Sequence, residues 1–215
     1  MSTKYGIIIA IFSLAFALLA LYSYAAENVE FSTLRCDQQE TSFGDLTTDA
    51  LCADANTVIG LAPAVSFKPG TIPAQETTRA QVASLLQTPE ETWAVSRLTG
   101  AQIRKALERS LSRAPLPHTA FLQVSGLTVV YDVSKPRDHR IVSLTSAQGP
   151  VRPEETYEVV MPLLLAQGGS GYFQIFGKDD IVRQGTTAIA DAIVSYLEAH
   201  PGRNYTGQGR IIVGG

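Results

Sequence analysis

The stretch from Leu98 to Asp132, LTGAQIRKALERSLSRAPLPHTAFLQVSGLTVVYD, constrains the fold more than any other part of the chain, because its apolar period changes midway. Ile103, Leu107 and Leu111 recur at helical spacing, with Arg104, Lys105 and Glu108 on the other side, which predicts a helix with one buried and one wet face. Thr99 is placed to cap its first turn, and Pro115 with Pro117 ends it. Phe121 to Tyr131 then reads as a strand rich in Val, Leu and aromatics. Gly126 within it marks a bulge or a close approach of another backbone.

The remaining pattern continues this mixture. Helices are expected over Ser42 to Ala55, with Phe43, Leu46 and Ala50 inward and Asp45 and Asp49 outward, over Thr77 to Leu86, and over Thr186 to His200. Strands are expected within Asn28 to Arg35 and over Thr57 to Ala64, Thr92 to Leu98, Arg140 to Ser146, Thr156 to Leu165 and Gly209 to Val213. The run Thr156 to Leu165 becomes fully apolar, as a central strand does. The expectation is one mixed α/β (α+β) domain, residues 31–215, with helices packed on mixed β-sheet.

Ahead of it, Tyr5 to Ala26 has no charged side chain, and Lys4 is the only charge before the run. Residues 1–26 therefore read either as a secretory signal cleaved near Ala25 or as an uncleaved transmembrane signal-anchor. Both place the body of the protein outside the cytoplasm, anchored or released. In that setting Cys36 and Cys52 are expected to pair as a disulfide, two buried thiols being the alternative. A net charge of −3 gives no electrostatic case for nucleic acid as a partner. His118, His139 and His200 stand singly, no Cys/His spacing suggests a metal site, and no cofactor is expected.

Several blocks, taken together and in order, resemble the C-terminal domain of the 5'-nucleotidases: SFGDLTTDAL, LTGAQIRKALE, FLQVSGLTVVYD and RIVSLTSAQGPVRPEETYEVVMPLLLAQGGSGY, followed by the last helix. The resemblance covers nearly the whole exported part and implies that domain's fold. It also implies a nucleoside cleft in which two phenylalanines stack the base while arginines and an aspartate hold the rest. Hydrolysis in such proteins belongs to an N-terminal metallophosphoesterase domain with two metal ions. With the similar part starting close behind the apolar run, the expectation is a chain without that domain and without catalysis of its own.

The departures from the family pattern fall on the positions that touch ligand. Ala62-Pro63-Ala64-Val65-Ser66-Phe67-Lys68 stands where the family has an Asn-Gly-Gly turn ending in Ile-Arg. Thr88-Pro89-Glu90-Glu91 replaces the first stacking ring, and Leu164 takes the place of the second. Gly168-Gly169-Ser170-Gly171-Tyr172 keeps the glycine turn and drops its carboxylate. The residues left to line a degenerate cleft are Lys68, Trp93, Gly168, Gly169, Ser170 and Tyr172. The alternative roles are turns for the glycines and core packing for Trp93. Glu90 and Glu91 read as solvated loop charges. The expected role is a binding or assembly module, docked on a membrane protein complex or holding a nucleoside-like small molecule. The alternative is the specificity component of a split nucleotide phosphohydrolase, working with a separate metallophosphoesterase.

Overall fold

Strands and helices follow one another as β1 (Glu30–Ser32), α1 (Ser42–Ala55), β2 (Ile59–Pro63), β3 (Thr71–Pro73), α2 (Arg79–Ser84), β4 (Trp93–Thr99), α3 (Gly100–Ser110), β5 (Leu122–Ser125), β6 (Leu127–Tyr131), β7 (Ile141–Ser146), β8 (Gly149–Pro150), β9 (Thr156–Pro162), α4 (Leu163–Ala166), β10 (Ile181–Gln184), α5 (Ile189–Ala199) and β11 (Ile211–Val213). The computed structural model describes residues 30–75 and 77–214. The apolar run read as a signal or anchor lies outside the described residues. Among the described residues, no helix is long and apolar enough to cross a membrane.

The larger sheet has the order β10-β4-β9-β2-β5. Its spine is the antiparallel pair β4–β9, in register from Trp93 opposite Pro162 to Thr99 opposite Thr156. The apolar part of β9, Val159 to Met161, is fully buried, as a strand flanked on both sides requires. β9 stops at Pro162, three residues short of the expected end, and Leu163 to Ala166 form α4 instead. A second, four-stranded sheet has the order β11-β6-β7-β8, with β11 parallel to β6, and β1 pairs antiparallel with β3 in a two-stranded third.

The single apolar run from Phe121 to Tyr131 is thus two strands in two sheets. Gly126 is the hinge between them: its φ is +72°, and a Cβ there would overlap the carbonyl oxygen of Val58. Only glycine meets both conditions. The helix between the sheets, α3, touches β4 on one side and β7 on the other. It begins with the expected cap, Thr99, whose hydroxyl accepts from the Gln102 N–H while the Gln102 side chain accepts from the Thr99 N–H. On the far side α1 packs against β2, β5 and α5.

Three readings are corrected by packing that no single helix reveals. Asp45 and Asp49 on α1 are buried, at 1% and 8% exposure, because the chain's C-terminal arm returns over them. Arg210 donates to both Asp49 oxygens at 2.8 and 2.9 Å, and Ser125 and Tyr205 donate to the same carboxylate. Asp45 lies beside the Nε of Arg210 at 3.6 Å, and neither of its oxygens has a hydrogen-bond partner. Glu108, read as facing water, is 4% exposed and accepts the backbone N–H groups of Arg140 and Ile141 entering β7.

The expected disulfide is also absent, because Cys36 and Cys52 are separate buried thiols. The Cys36 sulfur lies against the carbonyl of Ala64, whereas Cys52 packs over Gly60. Those two points are four residues apart along β2 and its extension, roughly 13 Å, well beyond the reach of a disulfide. Burial pushes both thiols up to about 11.

Candidate functional site

Where β2 ends at Pro63, the chain turns through Ala64 to Ser66, pinned by Ala64 N–H to the Phe121 carbonyl and Val65 N–H to the Thr119 carbonyl. This leaves the Val65 side chain 47% exposed. The neighbouring strand β9 ends at the same edge and turns through α4 into the glycine loop. Gly168, Ser170 and Gly171 there all have positive φ, the geometry for which the glycines are suited. Between the two turns lies a hollow of about 650 Å³, closed on a third side by the turn Gln87 to Glu91.

Among the described residues, Glu91 is the one ionisable group in the lining of this hollow. Its carboxylate accepts the Leu164 N–H at 2.8 Å, and burial pushes the carboxyl above its ordinary value while that N–H opposes the shift. It is therefore a positioned group, and the reading of Glu91 as a solvated charge is corrected. Glu90 does face outward, paired with Arg79 at 2.7 Å. Leu164 stands at the rim, 59% exposed. The lining thus offers aliphatic carbon, the hydroxyls of Ser66, Thr88 and Ser170, the side-chain amides of Gln87 and Gln167, and one carboxylate. That suits an apolar body with a hydrogen-bond donor and opposes an anion.

The structure brings some of the candidate residues together and separates the others. Gly168, Gly169 and Ser170 line the hollow. Tyr172 does not: it is fully buried, its hydroxyl donates to the Ala120 carbonyl at 2.6 Å, and its ring stacks on Phe176 with centroids 5.3 Å apart. Trp93 is 5% exposed, donates its indole N–H to Asp54 at 2.6 Å and lies under the Arg183 guanidinium. Lys68 is exposed and does not line the hollow. The segments that the resemblance assigned to ligand contact, at Val65-Ser66, Thr88 to Glu91, Leu164 and Gly168 to Ser170, do converge on this one place.

Sequence reasoning missed Glu91, since an acid in a Pro-Glu-Glu turn carries no sign of what covers it. It also missed β10, whose residues are partly or fully exposed and so lack an apolar alternation. His118 and His200 hydrogen-bond the carbonyls of Ser110 and Tyr196 through Nδ1, and neither lines the hollow. Among the described residues, no three His, Cys, Asp or Glu side chains are grouped to hold a metal ion.

Comparison with known proteins bears on the family and the fold. The chain is 35% identical over 100 residues to human 5'-nucleotidase, a match covering 43% of this chain and 17% of that protein. It is 36% identical over 94 residues to the snake venom 5'-nucleotidase of Naja atra, covering 40% of this chain and 18% of that one. The crystal structure of a 5'-nucleotidase precursor from Thermus thermophilus superposes with a TM-score of 0.75 at 28% identity, covering 92% of this chain and 43% of that one. The chain therefore spans under a fifth of the curated relatives' length and under half of the solved one. The family "5'-nucleotidase, C-terminal domain" matches residues 22–178, and the chain belongs to that family.

Proposed function

We propose that this domain is a non-catalytic binding or assembly module in which the family's nucleoside cleft persists as a shape and no longer takes a nucleoside. The observation that carries the reading is the lining of the 650 Å³ hollow. The segments that the resemblance assigns to ligand contact meet there, yet they present Leu164 and the Glu91 carboxylate in place of rings, and Lys68, which stands at the arginine's place, does not line it. A purine loses its stacking faces there. A phosphate meets like charge in a half-buried setting, where repulsion is poorly screened. The apolar run at residues 5–26 supports a place outside the cytoplasm, and with it a role beside a membrane protein complex.

The test is thermal unfolding of the full chain with and without millimolar adenosine. A ligand present at 100 times its Kd stabilises by about 2.7 kcal/mol, which is readily seen. The reading expects no shift. A clear upward shift overturns it and favours the second reading, in which the domain supplies substrate specificity to a separate metallophosphoesterase. Partial identity to whole 5'-nucleotidases is what keeps that reading in view.

A further inference from the structure

A second hollow, of about 510 Å³, opens along the polar face of α3 and shares no lining residue with the first. Its far wall is the end of the glycine loop, Gly171 and Gln174. Arg104, Lys105 and Arg109 all line it, and among the described residues none of the three is in a salt bridge. Lys105 and Arg109 are spaced i, i+4, where like charges disfavour the helix.

Two of the cations are already held in place. Arg109 donates through Nη2 to the Ser170 carbonyl at 2.6 Å and lies over the Tyr172 ring at 5.2 Å, while its Nε is shut off from solvent with no acceptor. Arg104 donates through Nη1 to the Ile141 carbonyl at 3.3 Å, which leaves its other nitrogens available. Guanidinium groups fixed beforehand lose little freedom on binding. Two acids also line the hollow. Glu108 is engaged by the N–H groups of Arg140 and Ile141, and Asp138 is exposed. The neutral donors Ser112 and Gln174 complete the wall.

We propose that this hollow is an oxyanion site, taking a small phosphate-bearing solute on Arg104, Lys105 and Arg109. Each guanidinium can hold phosphate oxygens by charge-assisted hydrogen bonds, and Lys105 adds a point charge. Unlike the first hollow, it attracts what Glu91 repels.

The test is calorimetric titration of the full chain with inorganic pyrophosphate at low and moderate salt. Saturable binding that weakens as salt rises is expected. Arg104→Ala and Lys105→Glu should each weaken it by about tenfold or more, and Glu91→Gln should leave it unchanged. Lys105 is exposed and bears on no packing, so Lys105→Glu keeps the test sound even if Arg104→Ala disturbs β7. Binding that never saturates overturns the proposal, as does full affinity in Lys105→Glu. Saturable binding of citrate with none of pyrophosphate overturns the phosphate assignment.

Discussion

Asp49 and Glu91 are both acids held away from bulk water, and they are used in opposite ways. Asp49 has its oxygens filled by Ser125, Arg210 and Tyr205, so nothing further can bind it, and its carboxyl is held below the usual range by those donors against the cost of burial. Among the described residues, Glu91 receives one backbone N–H and no cation, beside exposed Leu164 and Val65. The first is a closed clasp joining the C-terminal arm to α1, whereas the second leaves hydrogen-bonding capacity facing an open space. Polar capacity used up inside marks structure, and capacity left over in a concave place marks binding.

Breaking the clasp gives the largest expected effect. Arg210→Ala leaves Asp49 buried with its main cation gone and should destabilise the domain by about 3–5 kcal/mol, read as a lower urea midpoint at unchanged slope. If the loss is below about 1 kcal/mol, the range of exposed ion pairs, the clasp is not structural.

A pH-dependent effect separates the two acids on α1. Burial, with Glu40 and Asp49 nearby and Arg210 opposing, pushes Asp45 up to about 9 from 3.8. The folded state then holds a proton that the unfolded chain releases. This contribution is full below the unfolded value and is lost as pH rises through the folded one. Asp49 acts in reverse: its contribution is present above 3.8 and lost as pH falls through its lowered folded value. Asp45→Asn should therefore flatten the decline of stability between about pH 4 and 9, by at most about 1.4 kcal/mol per pH unit. An unchanged slope in urea titrations across that range would show Asp45 already ionised at neutral pH.

The cleft should be the quiet region. Leu164→Ala removes a 59% exposed side chain and should cost less than about 0.5 kcal/mol. A loss near 2 kcal/mol would make Leu164 part of the core and spoil the contrast with the clasp.

These same residues show what could be read from the chain alone. Helical spacing placed α3 and its Thr99 cap, and the run Ser42 to Ala55 matches α1 end to end. Local periodicity governs those elements, so they were legible. The inward turn of Asp45, Asp49 and Glu108 was not, because it depends on Arg210, Arg140 and Ile141 arriving from distant strands. A charged residue is an outward signal until its partner is known. Gly126 announced a close approach but not the change of sheet, which is set by where β2 and β11 lie. At the cleft, the losses from the family pattern were plain in the sequence. What replaced them was not, since Glu91 gains its position only when Leu164 N–H closes over it.

The most direct test of the central claim is calorimetric titration of the full chain with adenosine, which carries no phosphate for the cations of α3 to hold. No saturable heat is expected at millimolar adenosine, because the hollow bounded by Val65, Glu91 and Leu164 offers a carboxylate and aliphatic carbon and, among the described residues, no aromatic ring. Binding tighter than about 100 μM, roughly −5.5 kcal/mol, and weakened by substitution at Ser66 or Ser170, would contradict it and return the domain to nucleoside recognition.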